Sequence, residues 1–220
     1  MDRRPLFPAD FQLVLASQSP RRHSLLRDIG VPFTVVHSAA EEVLEGGPTS
    51  ALAERNAFAK VRSAVLPADV TSGAFVLGTD TLVTVDNRVM GKPSSAGEAT
   101  HMLTSLSGRT HQVVSGVALA RAAWSLGTVG RGGTVTIGEI QVASAVTDVT
   151  FLPLGKADID AYIASAEWAG KAGAYAIQGL AGSYVSEVRG EYSNVVGLPL
   201  CLLARMFREA GFDLLRRVWL

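Results

Sequence analysis

The apolar residues of this chain recur with two periods, and each change of period marks an element. Residues 11–16, FQLVLA, form a continuous apolar run of strand length. Ser19 and Pro20 then read as an N-cap and a first helical residue. Leu25, Leu26 and Ile29 recur at helical spacing, and Gly30 is placed to end that helix. FTVVHS (33–38) alternates like a second strand. An acidic loop, AAEEVLEGGP, leads to Thr49 as a cap and to a helix reaching about Leu66, on which Asn56 and Lys60 share a face. AFVLGTDTLVTVD (74–86) reads as strand, break, strand, with Gly78 loosening the chain just before Asp80. DNR (86–88) has the composition of a tight turn. Ser95 and Glu98 form a capping box for a helix carrying Ala99, Met102, Leu103 and Leu106, which Gly108 stops.

Two long strand patterns follow, THQVVSGVALAR and TVTIGEIQVASAVTDVTF, joined by GTVGRGG into an extended hairpin. A helix near 156–166 turns Ile159, Tyr162 and Ile163 inward. Gly170, Gly173, Gly179, Gly182, Gly190 and Gly197 crowd one segment, which indicates backbone lying close against something. The last clear helix, about 198–210, carries Leu202, Leu203, Met206 and Phe207 and stops at Gly211. Strands alternating with helices around one antiparallel hairpin predict an α/β fold with a mixed central sheet. At 220 residues without repeat or linker, a single domain over 1–220, at most two small lobes on one core, is expected.

Composition narrows the partners. Lys+Arg and Asp+Glu are both 20, so the net charge is zero, which argues against a nucleic-acid polymer as ligand but not against a small anion met by a local patch. The N-terminus has no signal-like apolar run, and no stretch reaches the ~18 apolar residues of a membrane span. A cytoplasmic protein without membrane partner is expected. Cys201, the single cysteine, lies on an apolar helical pattern and reads as a buried thiol rather than a nucleophile.

The usual phosphate loops, G-x-x-x-x-G-K-[ST] and G-x-G-x-x-G, are absent, and His23, His37, His101 and His111 lack zinc-like spacing. What stands out is LASQSPRRHSLL, which puts Arg21 and Arg22 in a first helical turn, where the helix dipole disfavours cations. Helix N-termini hold anions, so two guanidiniums there suit a multiply charged phosphate. The other reading sends both side chains to solvent or an acidic loop. On the phosphate reading, Arg22→Ala lowers activity and leaves stability nearly unchanged. Only Lys60, Lys92, Lys156 and Lys171 are lysine, and Lys92 lies in GKP between a strand and a capped helix. Asp80 at a strand end is where ligand chemistry collects in α/β sheets, or else it caps a turn. Glu41 and Glu42 are the next carboxylates, in a loop that could equally be solvated. Carboxylates facing phosphates imply a hard divalent cation bound through oxygens.

Taken in order, LASQSPRR, GTDTLV, GKP, EATHMLTSLSGRTHQVVSGVAL, KAGAYAIQG and YSNVVGLPL resemble the Maf family of nucleoside triphosphate pyrophosphatases. The resemblance implies two lobes around a mixed sheet with a cleft between them, similar to the inosine triphosphatase-like (Maf/Ham1) fold. It implies hydrolysis of nucleoside triphosphates to monophosphate and pyrophosphate with Mg²⁺ or Mn²⁺, and a homodimer. Asp80 matches the proton acceptor, with Glu42 and Asp80 as the carboxylates near the metal. Arg21, Thr81 and Gln178 match positions tied to base specificity. Ser17, Arg22, Glu42, Lys60 and Lys92 match polar residues lining the cleft. KAGAYAIQG resembles the subgroup acting on dTTP and UTP, and an amide such as Gln178 can pair with the carbonyl and imide N–H of a uracil or thymine. A 7-methyl-GTP pyrophosphatase and a non-catalytic nucleotide-binding regulator of septum formation are the alternatives. Three positions depart from the family pattern: Gly170 where an acidic residue is expected, Ala176 for glycine, and Glu191 for a small residue.

Overall fold

The computed structural model of the protein describes residues 6–125 and 134–220. The GTVGRGG turn lies outside them. The elements run β1 (Leu13–Leu15), α1 (Pro20–Asp28), β2 (Thr34–Val35), α2 (Thr49–Arg62), β3 (Phe75–Val85), β4 (Arg88–Met90), α3 (Ala96–Leu106) and β5 (Thr110–Ser125). They continue with β6 (Thr134–Phe151), α4 (Lys156–Ala164), β7 (Val185–Arg189), α5 (Tyr192–Val196), α6 (Leu200–Glu209), β8 (Phe212–Asp213) and β9 (Val218–Trp219). Strands β2-β1-β3-β5-β6-β7 lie in that order in one sheet, with β4 also on β3. Strand β1 pairs parallel with β2 and β3, whereas β4, β5, β6 and β7 pair antiparallel. The sheet is therefore mixed, as the embedded hairpin predicts.

Strand β3 organises the molecule. Residues 75–77 pair with β1, and 83–85 pair with β4. Residues 78–82 pair with β5 alone, so one edge of β3 is left without a strand partner for that stretch. Alternation then sorts the side chains. Phe75 and Leu77 enter one apolar cluster, covered by α1 and α6, and Val83 and Val85 enter another, covered by α3 and α4. Between them, on the same face, stand the polar Thr79 and Thr81. This polar gap between two cores divides the molecule into two lobes, and the cleft opens there.

The strand–break–strand reading of 74–86 is corrected: β3 is continuous, and Gly78 pairs in register with Ala118. Its glycine is required from the side instead. A Cβ on Gly78 would lie 2.7 Å from the Ala57 carbonyl oxygen, and one on Gly116 would lie 2.2 Å from that of Ala53. Both glycines admit α2 closely against the sheet. For the same reason Asp80 stands in mid-strand rather than at a strand end. Helix α2 itself begins with Pro48 as cap and Thr49 as first helical residue, and it ends at Arg62 rather than Leu66. The DNR turn is present, with Asp86 and Asn87 at φ 49° and 62° as a two-residue hairpin requires.

Cys201 is exposed, which corrects the buried reading. Leu202, Leu203, Met206 and Phe207 fill the inward stripe of α6, and Cys201 falls beside it. Glu191, the unusual residue of GEYSN, accepts the Cys201 amide at 2.7 Å and also takes the Ser193 hydroxyl, so it caps the start of α6.

Candidate active site

Helix α2 lies against β3 so that Asn56 and Lys60, one turn apart, both reach Asp80. Asn56 Nδ2 donates to Asp80 Oδ2 at 2.8 Å, and Lys60 Nζ donates to Oδ1 at 2.6 Å. Asp80 is 2% exposed. Asn56 also exchanges both amide bonds with the Val43 backbone, at 2.8 and 3.0 Å, which pins the acidic loop beside the strand. Glu42 thereby meets Lys60 at 2.9 Å and Lys92 at 2.6 Å. Acid and base alternate as Asp80, Lys60, Glu42, Lys92. Burial alone raises the Glu42 carboxyl, but the Lys60 charge and the hydrogen bonds from both lysines outweigh it and hold it down at about 2.

On the opposite face of β3 the two arginines take a different role from the one their position suggests. Arg22 is 8% exposed. Its Nε donates to the Gly197 carbonyl at 2.8 Å, and its two terminal nitrogens donate to Ser17 Oγ and Thr81 Oγ1, each at 3.0 Å. Arg21 Nε reaches the Val196 carbonyl at 3.3 Å. Both guanidiniums stitch the first turn of α1 to the peptide after α5. These acceptors offset the unfavourable dipole. Burial lowers both pKa values, and for Arg22 the Asp80 charge opposes that shift. The solvent-facing reading of Arg22 is therefore overturned, and so is the expectation that its removal spares stability. Thr81 Oγ1 extends the network to Ser115 Oγ at 2.9 Å, and Ser115 Oγ donates to the Asn194 carbonyl at 3.2 Å.

Ser17, Arg21, Arg22, Glu42, Lys60, Asp80, Thr81, Lys92 and Gln178 all line one cleft of about 820 Å³. Glu41 is exposed and is not part of that lining. Gln178 is exposed on the far wall, on the loop that follows the Ala172–Ala174 turn. The same wall carries Glu167, whose Oε2 accepts the Leu180 amide at 2.9 Å. Lys171 joins it and is lowered by burial and by the nearby Arg21 charge. Lys60, Lys92 and Lys171 line the cleft, while Lys156 pairs with Asp160 on the surface at 2.5 Å. Sequence reasoning left Asn56, Ser115 and Glu167 unassigned. The four-residue spacing of Asn56 and Lys60 pointed to the first; nothing local marks the other two.

The carboxylates fit a hard divalent cation in donor type. They do not form a cage: no cluster of three or more acidic, histidine or cysteine side chains suited to a metal exists among the described residues. Two carboxylates leave most of a magnesium-like coordination shell to phosphate and water, which is the common arrangement for such ions. Also among the described residues, no helix is long and apolar enough to cross a membrane.

Two lysines paired with two carboxylates, and two arginines, all lining one cleft, make a site suited to a small polyanion together with a cation. Residues 12–210 match the family model described as Maf-like protein, and the chain belongs to the Maf family. The dTTP/UTP pyrophosphatase of Symbiobacterium thermophilum is 42% identical over 92% of this chain and 96% of its own length. That of Anaeromyxobacter dehalogenans (strain 2CP-C) is 44% identical over 92% and 96%. That of Pelotomaculum thermopropionicum is 39% identical over 93% and 99%. Among solved structures, a HAM1 protein from Coxiella burnetii superposes with a TM-score of 0.39 at 16% identity, covering 64% of this chain and 73% of that one.

Proposed function

We propose that the protein hydrolyses nucleoside triphosphates, preferring dTTP and UTP, to the monophosphate and pyrophosphate. The observation that carries this reading is the Asp80–Lys60–Glu42–Lys92 chain at the base of a cleft whose far wall presents Gln178. The relatives named dTTP/UTP pyrophosphatase support the substrate. Lys60 and Lys92 meet the phosphate oxygens and offset the charge that accumulates on them. Each Asp80 oxygen accepts one hydrogen bond and keeps a further lone pair. Asp80 can therefore take a proton from water as the water oxygen bonds to the α-phosphorus. The bond from that phosphorus to the bridging oxygen breaks, and pyrophosphate leaves with the electron pair. Mg²⁺ or Mn²⁺, held by Asp80, Glu42 and the phosphates, would supply charge neutralisation and a more acidic water. Gln178 pairs with the pyrimidine imide, and Arg21 and Thr81, which line the same cleft, contribute to the choice of base.

The remaining readings are that the protein works in the cytoplasm, where its substrates are, and as a homodimer. For the dimer, the edge of β6 over 134–147 has no strand partner among the described residues, and Val142 and Val146 are exposed beside it. Sedimentation measures it. The function is tested by pyrophosphate release from a panel including dTTP, UTP, CTP, GTP and 7-methyl-GTP. Release is expected to be fastest from dTTP and UTP. Asp80→Asn is expected to bind dTTP without turning it over, which separates an enzyme from a binding protein. Fastest release from 7-methyl-GTP, or undiminished turnover in Asp80→Asn, overturns the assignment.

A further inference from the structure

In the charge chain, one ammonium occupies a position of its own. Lys60 Nζ touches Asp80 Oδ1 at 2.6 Å and Glu42 Oε1 at 2.9 Å, so it is the group that joins the two carboxylates. The other oxygens each accept one bond as well. Asp80 Oδ2 accepts from Asn56 at 2.8 Å, and Glu42 Oε2 accepts from Lys92 at 2.9 Å. The two acids and two bases sum to zero charge. A divalent cation entering alone between the two carboxylates has to displace Lys60 and leave a largely buried ammonium unpaired beside a double positive charge, so its desolvation goes uncompensated. A polyphosphate changes this balance: its oxygens accept Lys60 and Lys92, and the carboxylates become free to ligate.

We propose that Lys60 is a resident counter-ion that closes the Asp80–Glu42 pair to divalent cations until a polyphosphate draws it away, so that metal and nucleotide bind with strong mutual coupling. Coupling between two ligands is reciprocal, so each must strengthen the other by the same factor. Lys92 is not equivalent to Lys60. It is half exposed and touches only Glu42, so its removal leaves the space between the carboxylates filled. This inference rests on the reading of the cleft as a triphosphate site.

The test titrates Mn²⁺ alone into the full chain and follows the free ion by electron paramagnetic resonance. Lys60→Met is expected to take up one Mn²⁺ about tenfold or more tightly than wild type. Adding Asp80→Asn to it is expected to abolish the gain. Lys92→Met removes the same formal charge and is expected to gain far less. Equal gains in the two lysine variants would reduce the effect to bulk charge and overturn the proposal, as would Mn²⁺ binding to wild type as tight as to Lys60→Met. A second measurement takes the affinity of wild type for α,β-methylene-dTTP in chelator and in Mn²⁺. A ratio of about ten or more is expected, and a ratio near one overturns the proposal even if Lys60→Met does not fold. The outcomes separate the two readings. If dTTP is hydrolysed but Lys60→Met gains no Mn²⁺ affinity, this inference falls and the function stands. If the analogue does not bind while Lys60→Met gains Mn²⁺, Lys60 is shown to close the carboxylate pair, but the coupling and the nucleotide reading both fall.

Discussion

Arg22→Ala has a stability cost that the position of Arg22 in the sequence conceals. The guanidinium is buried and makes three hydrogen bonds, to the Gly197 carbonyl, Ser17 Oγ and Thr81 Oγ1. Bonds to a charged donor contribute about 1.5–3 kcal/mol each, and a buried acceptor left without its partner costs about 1–3 kcal/mol. Two effects reduce the sum. Gly197 O keeps a longer bond from Thr79 at 3.4 Å, and the desolvation of the guanidinium is relieved. A net loss of about 3 kcal/mol is expected, which for a chain of this length lowers the melting temperature by roughly 6–12 °C. Thermal unfolding by circular dichroism measures it. Arg22→Lys keeps the charge but cannot hold three acceptors in one plane, so it should fall between the two. A melting temperature for Arg22→Ala within about 2 °C of wild type would refute the claim that Arg22 joins α1 to the segment after α5.

Gly116→Ala places a Cβ 2.2 Å from the Ala53 carbonyl, so α2 must move off the sheet. Stability, read by thermal unfolding, and kcat should fall together, the first by the roughly 1–3 kcal/mol that overpacking costs; unchanged kcat would show that the seat of α2 does not set the Lys60–Asp80 geometry. Glu167→Ala frees the Leu180 amide and with it the loop carrying Gln178, so KM for dTTP should rise about tenfold with kcat nearly constant, while a fall confined to kcat would refute a positioning role. His111 is buried against Phe151 and Tyr175, and burial lowers its pKa from 6.5 to about 4. The unfolded chain therefore binds this proton first, so stability is complete above pH 6.5 and is lost as pH falls toward 4. His111→Gln should flatten that limb of a pH-dependent denaturation series, and an unchanged slope would refute it. Glu42, held down at about 2 from 4.5, adds a second loss only below pH 4.5, which Glu42→Gln should remove.

Much of the fold is legible because it is governed by period and caps. Ser95 caps its helix as read, with the Glu98 amide donating to Ser95 Oγ at 3.2 Å, but the Glu98 carboxylate accepts the Ser94 amide at 2.7 Å rather than that of Ser95, so the reciprocal half of the capping box is shifted by one residue. The long hairpin pairs from Thr110↔Thr150 outward. What misled were residues whose reason lies across the fold. Gly78 suggests a break when only its own strand is considered, but the constraint comes from Ala57 and Val61 on α2. Cys201 sits among apolar neighbours in sequence, but its orientation on α6 puts it outward. No local pattern contains such information, because it depends on which side of an element another element packs.

The candidate site divides along the same line. Residues that meet across one helix turn, such as Asn56 and Lys60, announce a shared face, and the structure directs that face at Asp80. Arg21 and Arg22 announced a conflict instead, two cations at the positive pole of a helix. A bound anion was the local resolution available. The structure supplies a nearer one, because the carbonyls of Val196 and Gly197 accept the two Nε protons. The two resolutions are compatible, since three bonds leave two of Arg22's five N–H groups uncommitted. Arg22 then ties α1 to the segment after α5 and offers donors to the cleft at once. Loss of stability and loss of activity in Arg22→Ala therefore have one physical origin. Arg22→Lys can separate them: a compact ammonium that still reaches the cleft should retain more turnover than stability. A variant that kept its stability and lost only turnover would return Arg22 to the purely ligand-facing role.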